Sequence, residues 1–305
     1  MALSAFALTA LAGPSSAAAF CRESLDSHAG GDCVEDPGVP FLFWKRACMT
    51  YRFNEDFFAR VPLMTEDAIR QAFNASFETW AVVDCDGRKP FAVLQASKTT
   101  ATSKAEFLYD VVNESVVVAR SREEWASLKG HDPTALALTL LWHDKSTGEI
   151  LDVDMELNAG AGRFNDCVST SCSLAMIDLQ NTITHEAGHL LGLGHTNVRG
   201  ATMEASTDSN RETSKRSLER DDVDGYCSLD LPEFDCTGSR CVCPAPPIVS
   251  SHTTVRTCGC RTVGADPVSS PTLWSAGWTL FGYAWVRVTR RKRPARGSGR
   301  VDRLA

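Results

Sequence analysis

Between Thr65 and Val82 (TEDAIRQAFNASFETWAV) apolar side chains recur at Ile69, Ala72, Phe73, Phe77 and Trp80, a spacing that lines them along one stripe of a helix. Thr65 supplies an N-cap and Asp67 a negative charge in the first turn, so the pattern predicts a long amphipathic helix with its aromatic stripe in the core. Shorter runs at Phe91–Gln95, Ser115–Ala119, Ala135–Trp142 and Glu149–Leu157 read as strands. In the last of them apolar and acidic residues alternate. Leu151, Val153, Met155 and Leu157 go to one face and Asp152, Asp154 and Glu156 to the other, which predicts a half-exposed strand with a solvated acidic side. Those acids invite a calcium site, but no EF-hand loop accompanies them and calcium is left unsupported. Ile177–Leu193 (IDLQNTITHEAGHLLGL) has the pattern of a buried helix. Helices and strands therefore mix in a globular body over residues 20–230, with no internal repeat.

The ends follow other patterns. Residues 1–19 hold an apolar stretch from Ala2 to Ala12, a Gly13-Pro14 breaker and Ala17-Ala18-Ala19, the plan of a signal peptide cleaved after Ala19, although no Lys or Arg precedes the apolar part. Residues 231–267 are rich in Cys and Pro, with PAPP at Pro244–Pro247, and read as a stalk. Val268–Val286 carries no charge and includes Trp274, Trp278, Tyr283 and Trp285. Residues 268–289 read as a membrane segment, with an amphipathic or buried helix as the alternative. Residues 290–305 form a basic tail.

Composition sharpens this picture. At 43% hydrophobic and 23% charged the 305-residue chain can bury a core, which excludes wholesale disorder. The formal net charge of −7 becomes −13 once the tail is set aside, because Arg290 to Arg303 hold seven basic residues against Asp302. An acidic body disfavours nucleic acid as a partner. Twelve cysteines point to disulfides in an oxidising compartment, since no pair of CxxC knuckles supports cysteine zinc sites. Cys167 with Cys172 is the natural local bridge, and Cys48 with Cys85 could tie the first strand to the end of the long helix. No signal speaks to oligomeric state.

His185-Glu186-Ala187-Gly188-His189 is an HExxH. On a helix, residues four apart lie above one another, so both imidazoles can reach one ion from the same face. Gly192 lets the helix stop and His195 brings a third imidazole, completing HExxHxxGxxH and lowering the odds of accident by about three orders of magnitude. Neutral imidazoles in this set suit a single zinc ion with a place left for water, whose pKa the ion lowers. Glu186, beside the ligands, is the candidate general base that takes the proton and hands it to a departing amine.

These residues resemble the metzincin metallopeptidases, and the Thr196 that follows the third histidine resembles the matrixin branch. The resemblance implies a methionine turn beneath the metal, assigned to Met203 in Gly200-Ala201-Thr202-Met203. It also implies an α+β catalytic domain with a twisted mixed sheet, a backing helix, an active-site helix and a small C-terminal subdomain. Phe43-Trp44-Lys45, Phe77–Trp80 and Leu218–Gly225 extend the likeness over roughly residues 40–228. Asp221 and Asp222, opening the last helix, are expected to cap it and support the loop near the metal. No PRCGxPD motif occurs, so the propeptide thiol of animal matrixins has no counterpart, and Cys33 reads as half of a disulfide. His131 and His143 lack the partners of a second, structural zinc site, which leaves the catalytic ion alone. The order of Cys258-Gly-Cys260, apolar segment and arginine run resembles the C-terminal sorting tags of myxobacterial surface proteins, and implies a chain exported and held at the cell surface.

The expected activity is zinc-dependent endopeptidase action on extracellular protein or peptide, with the substrate adding as a strand to the Glu149–Leu157 edge. A zinc-containing surface adhesion protein without turnover is the alternative; keeping Glu186 argues against it.

Overall fold

The computed structural model describes residues 20–25, 38–88, 91–95, 100–102, 104–207, 211–232, 243, 245–251, 253–258 and 261–262. The expected signal peptide, the 268–289 segment, the basic tail and Cys33 lie outside these residues. In chain order the elements are β1 (Cys21–Arg22), β2 (Cys48–Phe53), α1 (Phe57–Arg60), α2 (Glu66–Ala81), β3 (Ala92–Gln95), β4 (Ser115–Arg120), α3 (Arg122–Ser127), β5 (Ala137–Asp144) and β6 (Ile150–Asn158). They continue with β7 (Arg163–Asn165), β8 (Met176–Asp178), α4 (Leu179–Leu191), β9 (Leu193–Gly194), β10 (Ser206–Thr207), α5 (Arg220–Ser228), β11 (Thr253–Cys258) and β12 (Arg261–Thr262).

The expected long helix is α2. Thr65 caps it by accepting a hydrogen bond from the Ala68 amide, and Glu66 and Asp67 place negative charge at its positive end. Its stripe of Ile69, Phe73, Phe77 and Trp80 is buried against the sheet. Phe73 stands edge-on to Phe53 with ring centroids 4.9 Å apart, and Phe77 meets Tyr51 at 5.3 Å. Each such side chain contributes about 1.5–3 kcal/mol by leaving water.

The main sheet is mixed, in the order β11-β5-β6-β4-β2-β3. β2, β3, β4 and β6 run parallel, β5 is antiparallel to β6, and β11 is antiparallel to β5. The architecture is the expected α+β one.

Two expectations for Glu149–Leu157 fail. β6 pairs with β4 on one side and β5 on the other, so it is an interior strand that offers no edge to a peptide. Its acidic face is not solvated either: Asp152, Asp154 and Glu156 are all buried. Ala101 and Ala105 cover that side by packing on Val116 and Val118, and Phe107 stacks on Trp142 with centroids 5.7 Å apart. The carboxylates are tolerated there because partners replace water. Ser115 Oγ donates to Asp152 at 2.5 Å, the Val116 amide and Trp142 Nε1 donate to Asp154 at 3.0 and 2.9 Å, and Glu156 meets Arg120 and His131. Burial raises the pKa of Asp152 and Asp154. For Glu156 burial acts in the same direction, but the bonds from His131 and Arg120 outweigh it and its pKa falls. Period-two alternation assigns residues to faces; what covers a face depends on distant chain.

The disulfides correct one pairing. Cys167 bridges Cys172, but Cys48 joins Cys243 and Cys85 joins Cys227. The end of α2 abuts α5, where the rings of Trp80 and Tyr226 lie 5.9 Å apart, and this brings Cys85 to Cys227. Cys21 is also disulfide-bonded. The segment expected as a stalk returns to the body twice, through Cys243 and through β11 in the sheet. Among the described residues no helix is long and apolar enough to cross a membrane.

Candidate metal centre

α4 carries the HExxH and is buried almost throughout. Asp178 caps it by accepting from the Asn181 amide at 2.8 Å, and Arg216 donates to the same carboxylate from Nε at 2.8 Å. Indole N–H groups reach α4 from neighbouring elements: Trp80 Nε1 donates to Thr184 O at 2.9 Å and Trp44 Nε1 to Leu190 O at 2.8 Å. Gly192 ends the helix with φ +111°, in the left-handed region that suits glycine. That turn swings the chain through β9 and brings His195 back beside the helix.

The Nε2 atoms of the three histidines converge: His185 to His189 at 3.1 Å, His189 to His195 at 3.2 Å and His185 to His195 at 3.3 Å. A tetrahedral zinc with Zn–N bonds of about 2.0–2.1 Å needs its ligand nitrogens about 3.3 Å apart. The opposite nitrogens have acceptors. His185 Nδ1 donates to Thr202 O at 2.6 Å and His189 Nδ1 to Leu193 O at 2.8 Å, which leaves the Nε2 lone pairs facing one another. Burial, aided by the charge of Lys215 and by the other imidazoles, lowers the pKa of His185 and keeps it neutral. Ring nitrogens gathered this closely are a natural donor set for a cation. The residues fit zinc.

Glu186 is fully buried, and Thr139 Oγ1 of β5 donates to its Oε2 at 2.7 Å and lies 3.2 Å from its backbone oxygen. Met203 lies beneath α4. A methyl group on Gly188 would overlap Met203 Sδ and approach Trp80 Cζ2 to 2.9 Å, so glycine is what lets the methionine and the indole close under the helix. Asp222 holds the turn that carries Met203: its carboxylate accepts from the amides of Thr202 (2.7 Å), Met203 (2.9 Å) and Glu219 (2.8 Å). Asp221 accepts from Thr196 and from the backbone of Phe20, and burial raises its pKa.

The structure thus brings His185, His189, His195, Glu186 and Met203 into one place. His131 and His143 are elsewhere: His131 contacts Glu156 and the ring of Trp125, and His143 Nδ1 lies 3.3 Å from Asp144 O. Sequence reasoning missed Thr139, although it is the one hydroxyl in the apolar run Ala135–Trp142. It also missed Glu23 and Cys258, whose side chains share a second cluster with His189.

The matrixin model of the M10 peptidases matches residues 43–230, which includes every residue of this centre. The chain belongs to the matrixin family. Human neutrophil collagenase is 26% identical over 199 residues, covering 65% of this chain and 35% of the collagenase. Metalloendoproteinase 2-MMP of Arabidopsis thaliana is 36% identical over 80 residues, 26% of this chain and 19% of that protein. The chain therefore spans about a third or less of these relatives' length. Matrixins are zinc metallopeptidases, and the three imidazoles of this member are arranged to receive such an ion.

Proposed function

We propose that this matrixin is a zinc-dependent endopeptidase. His185, His189 and His195 hold the ion and Glu186 is the general base. The observation that carries the reading is the convergence of three imidazole nitrogens at 3.1–3.3 Å beside a buried carboxylate. Bound zinc supplies a Lewis acid for a scissile carbonyl and lowers the pKa of water held beside it.

The rest follows from the chain's own groups. Glu186 accepts the proton from the attacking water and returns it to the leaving amine. Thr139, donating to Oε2, holds that carboxylate in place. Met203 and Asp222 support the floor beneath the histidines. A peptide substrate would add to β5, the strand that touches Glu186, on the side where β11 pairs, and would have to take the place of β11 there. Main-chain bonds would then position a scissile bond whatever its side chains. Export and retention at the cell surface through the C-terminal segment complete the proposal, with extracellular protein as the substrate class.

The test is casein cleavage by the zinc-loaded protein. Cleavage that stops with a chelator, returns with zinc and falls about 10²–10⁴-fold in Glu186→Gln supports the reading. Wild type and Glu186→Gln equally inert with zinc bound would favour an adhesion protein that keeps the metal for structure.

A further inference from the structure

The connection between β3 and β4 carries apolar side chains that the body does not bury. Leu108, Tyr109, Val111 and Val112 are 43–52% exposed, and these four are half of the eight large apolar side chains left exposed among the described residues. The loop is nonetheless built to one shape. Buried Asn113 closes it with both ends of its amide: Oδ1 accepts from the Leu108 amide at 2.8 Å and Nδ2 donates to Leu108 O at 2.9 Å. Asp110 takes a left-handed φ of +62° at the tip, a strained conformation for a residue with a Cβ. Phe107 anchors the base, its ring centroid 5.7 Å from those of Tyr109 and of Trp142 in β5. Apolar side chains gathered on the surface by a loop held this firmly mark a docking surface.

The loop stands at one end of the β5 edge. β11 runs along that edge from Thr253 opposite Asp144 to Cys258 opposite Thr139, and before reaching it the chain touches the loop, where the Asp110 amide donates to Val249 O at 3.0 Å. A polypeptide antiparallel to β5 therefore has its N-terminal side at the loop and its C-terminal side at Thr139, which bonds Glu186. The residue that this chain itself bonds to the loop and the one before it, Val249 and Ile248, are both apolar. Exposed Glu106 and Asp110 on the same loop leave it unsuited to an anionic bilayer.

β11 also sets the difficulty for a substrate. A strand tethered to the body competes at a millimolar effective concentration, so a dilute free peptide does not displace it, whereas a chain already held on the loop competes on equal terms. Resting on the peptidase reading above, we propose that Leu108–Val112 is an exosite: it holds an apolar stretch of a protein substrate on the N-terminal side of the scissile bond and from there feeds the chain onto β5 in place of β11. The substrate class is then extended or unfolded protein with an apolar run upstream of the cleavage point.

The experiment uses the zinc-loaded full chain and three peptides built on one cleavable sequence taken from casein. Two are long and of one composition, with an Ile-Val pair near the N-terminus of the first and near the C-terminus of the second; the third is short and covers β5 alone. Wild type should cleave the first about tenfold more efficiently than the second, through KM, as expected for burying one or two half-exposed apolar side chains. Val111→Ser combined with Val112→Ser, and separately Leu108→Ser, should abolish that difference and leave cleavage of the short peptide unchanged. Equal cleavage of the two long peptides by wild type overturns the proposal, as does a difference that survives in the variants or a short peptide that loses as much as the long one. A wild-type dimer in sedimentation that the variants dissolve also overturns it, by giving the surface to a second copy. If no form cleaves any peptide, the peptidase reading fails, and fluorescence anisotropy with the labelled first peptide on Glu186→Gln decides the exosite: binding that the loop substitutions remove supports it, and no binding, or binding that they leave intact, overturns it.

Discussion

Above α4 the molecule is held by apolar packing, and below it by polar bonds. The upper half is a sheet with an aromatic layer, Tyr51, Phe53, Phe57, Phe73 and Phe77, pressed between β2 and α2. The lower half, from β9 to α5, has little regular structure. Its turns hang on buried side chains: Asp222 under three amides, Asn181 Oδ1 accepting from the Lys215 amide at 2.8 Å, and buried Lys215, whose Nζ donates to Glu204 O and to Ser206 O at 2.9 Å. Packing tolerates many sequences and gives stability. A network of specific bonds fixes positions, and the third histidine and the methionine turn need fixed positions more than they need a large core. Changes above should therefore alter stability with little effect on the metal, and changes below should alter the metal site with it.

The largest effect belongs to the upper half. Phe73→Ala should cost about 3–5 kcal/mol in denaturant unfolding, while the folded fraction binds zinc as tightly as wild type. A parallel loss of zinc affinity would break the division. Asp222→Ala strands three amide donors, and a lost outer partner of this kind weakens metal binding by about 10–100-fold, measurable by competition with a chromophoric chelator. Unchanged affinity would mean that the lower network is only scaffold.

Thr139→Val lies on the boundary. It keeps the shape of the side chain and removes the donor to Glu186, so kcat should fall about tenfold at unaltered zinc content. The smallest effect is electrostatic. Burial pushes the pKa of Asp166 up, but hydrogen bonds from Ser169 and Arg216 outweigh it and hold the group well below its ordinary value. A depressed carboxylate stabilises the fold above its unfolded pKa of about 3.9, and that contribution is lost as pH falls through the folded value. Asp166→Asn should thus be less stable than wild type at neutral pH by under about 1 kcal/mol, with the gap closing in acid. A gap that widened on acidification would reverse the sign of this account.

Local chemistry was legible in the sequence. Helix α2 shows in its spacing and cap, and the HExxH with Gly192 and His195 shows because the ligands sit on one helix and the turn that follows it. The faces of β6 were legible too, but not its burial, since the residues that cover its acidic side include Ala101, Ala105, Phe107 and His131. What stayed hidden is non-local. Thr139 reaches Glu186 only once β5 has docked against α4, and Cys85 meets Cys227 only once α2 and α5 have packed. The approach of Cys258 to His189 needs a strand that looked like part of a stalk. Alternation and spacing report on neighbours along the chain and are silent about partners brought together by the sheet.

Zinc content measured by plasma mass spectrometry on wild type, Glu186→Gln and His195→Ala tests the metal centre most directly. The account predicts a single zinc ion per chain in wild type and in Glu186→Gln, and loss of that ion after mild chelation in His195→Ala. Zinc retained equally by all three proteins, or absent from wild type after loading, would contradict it.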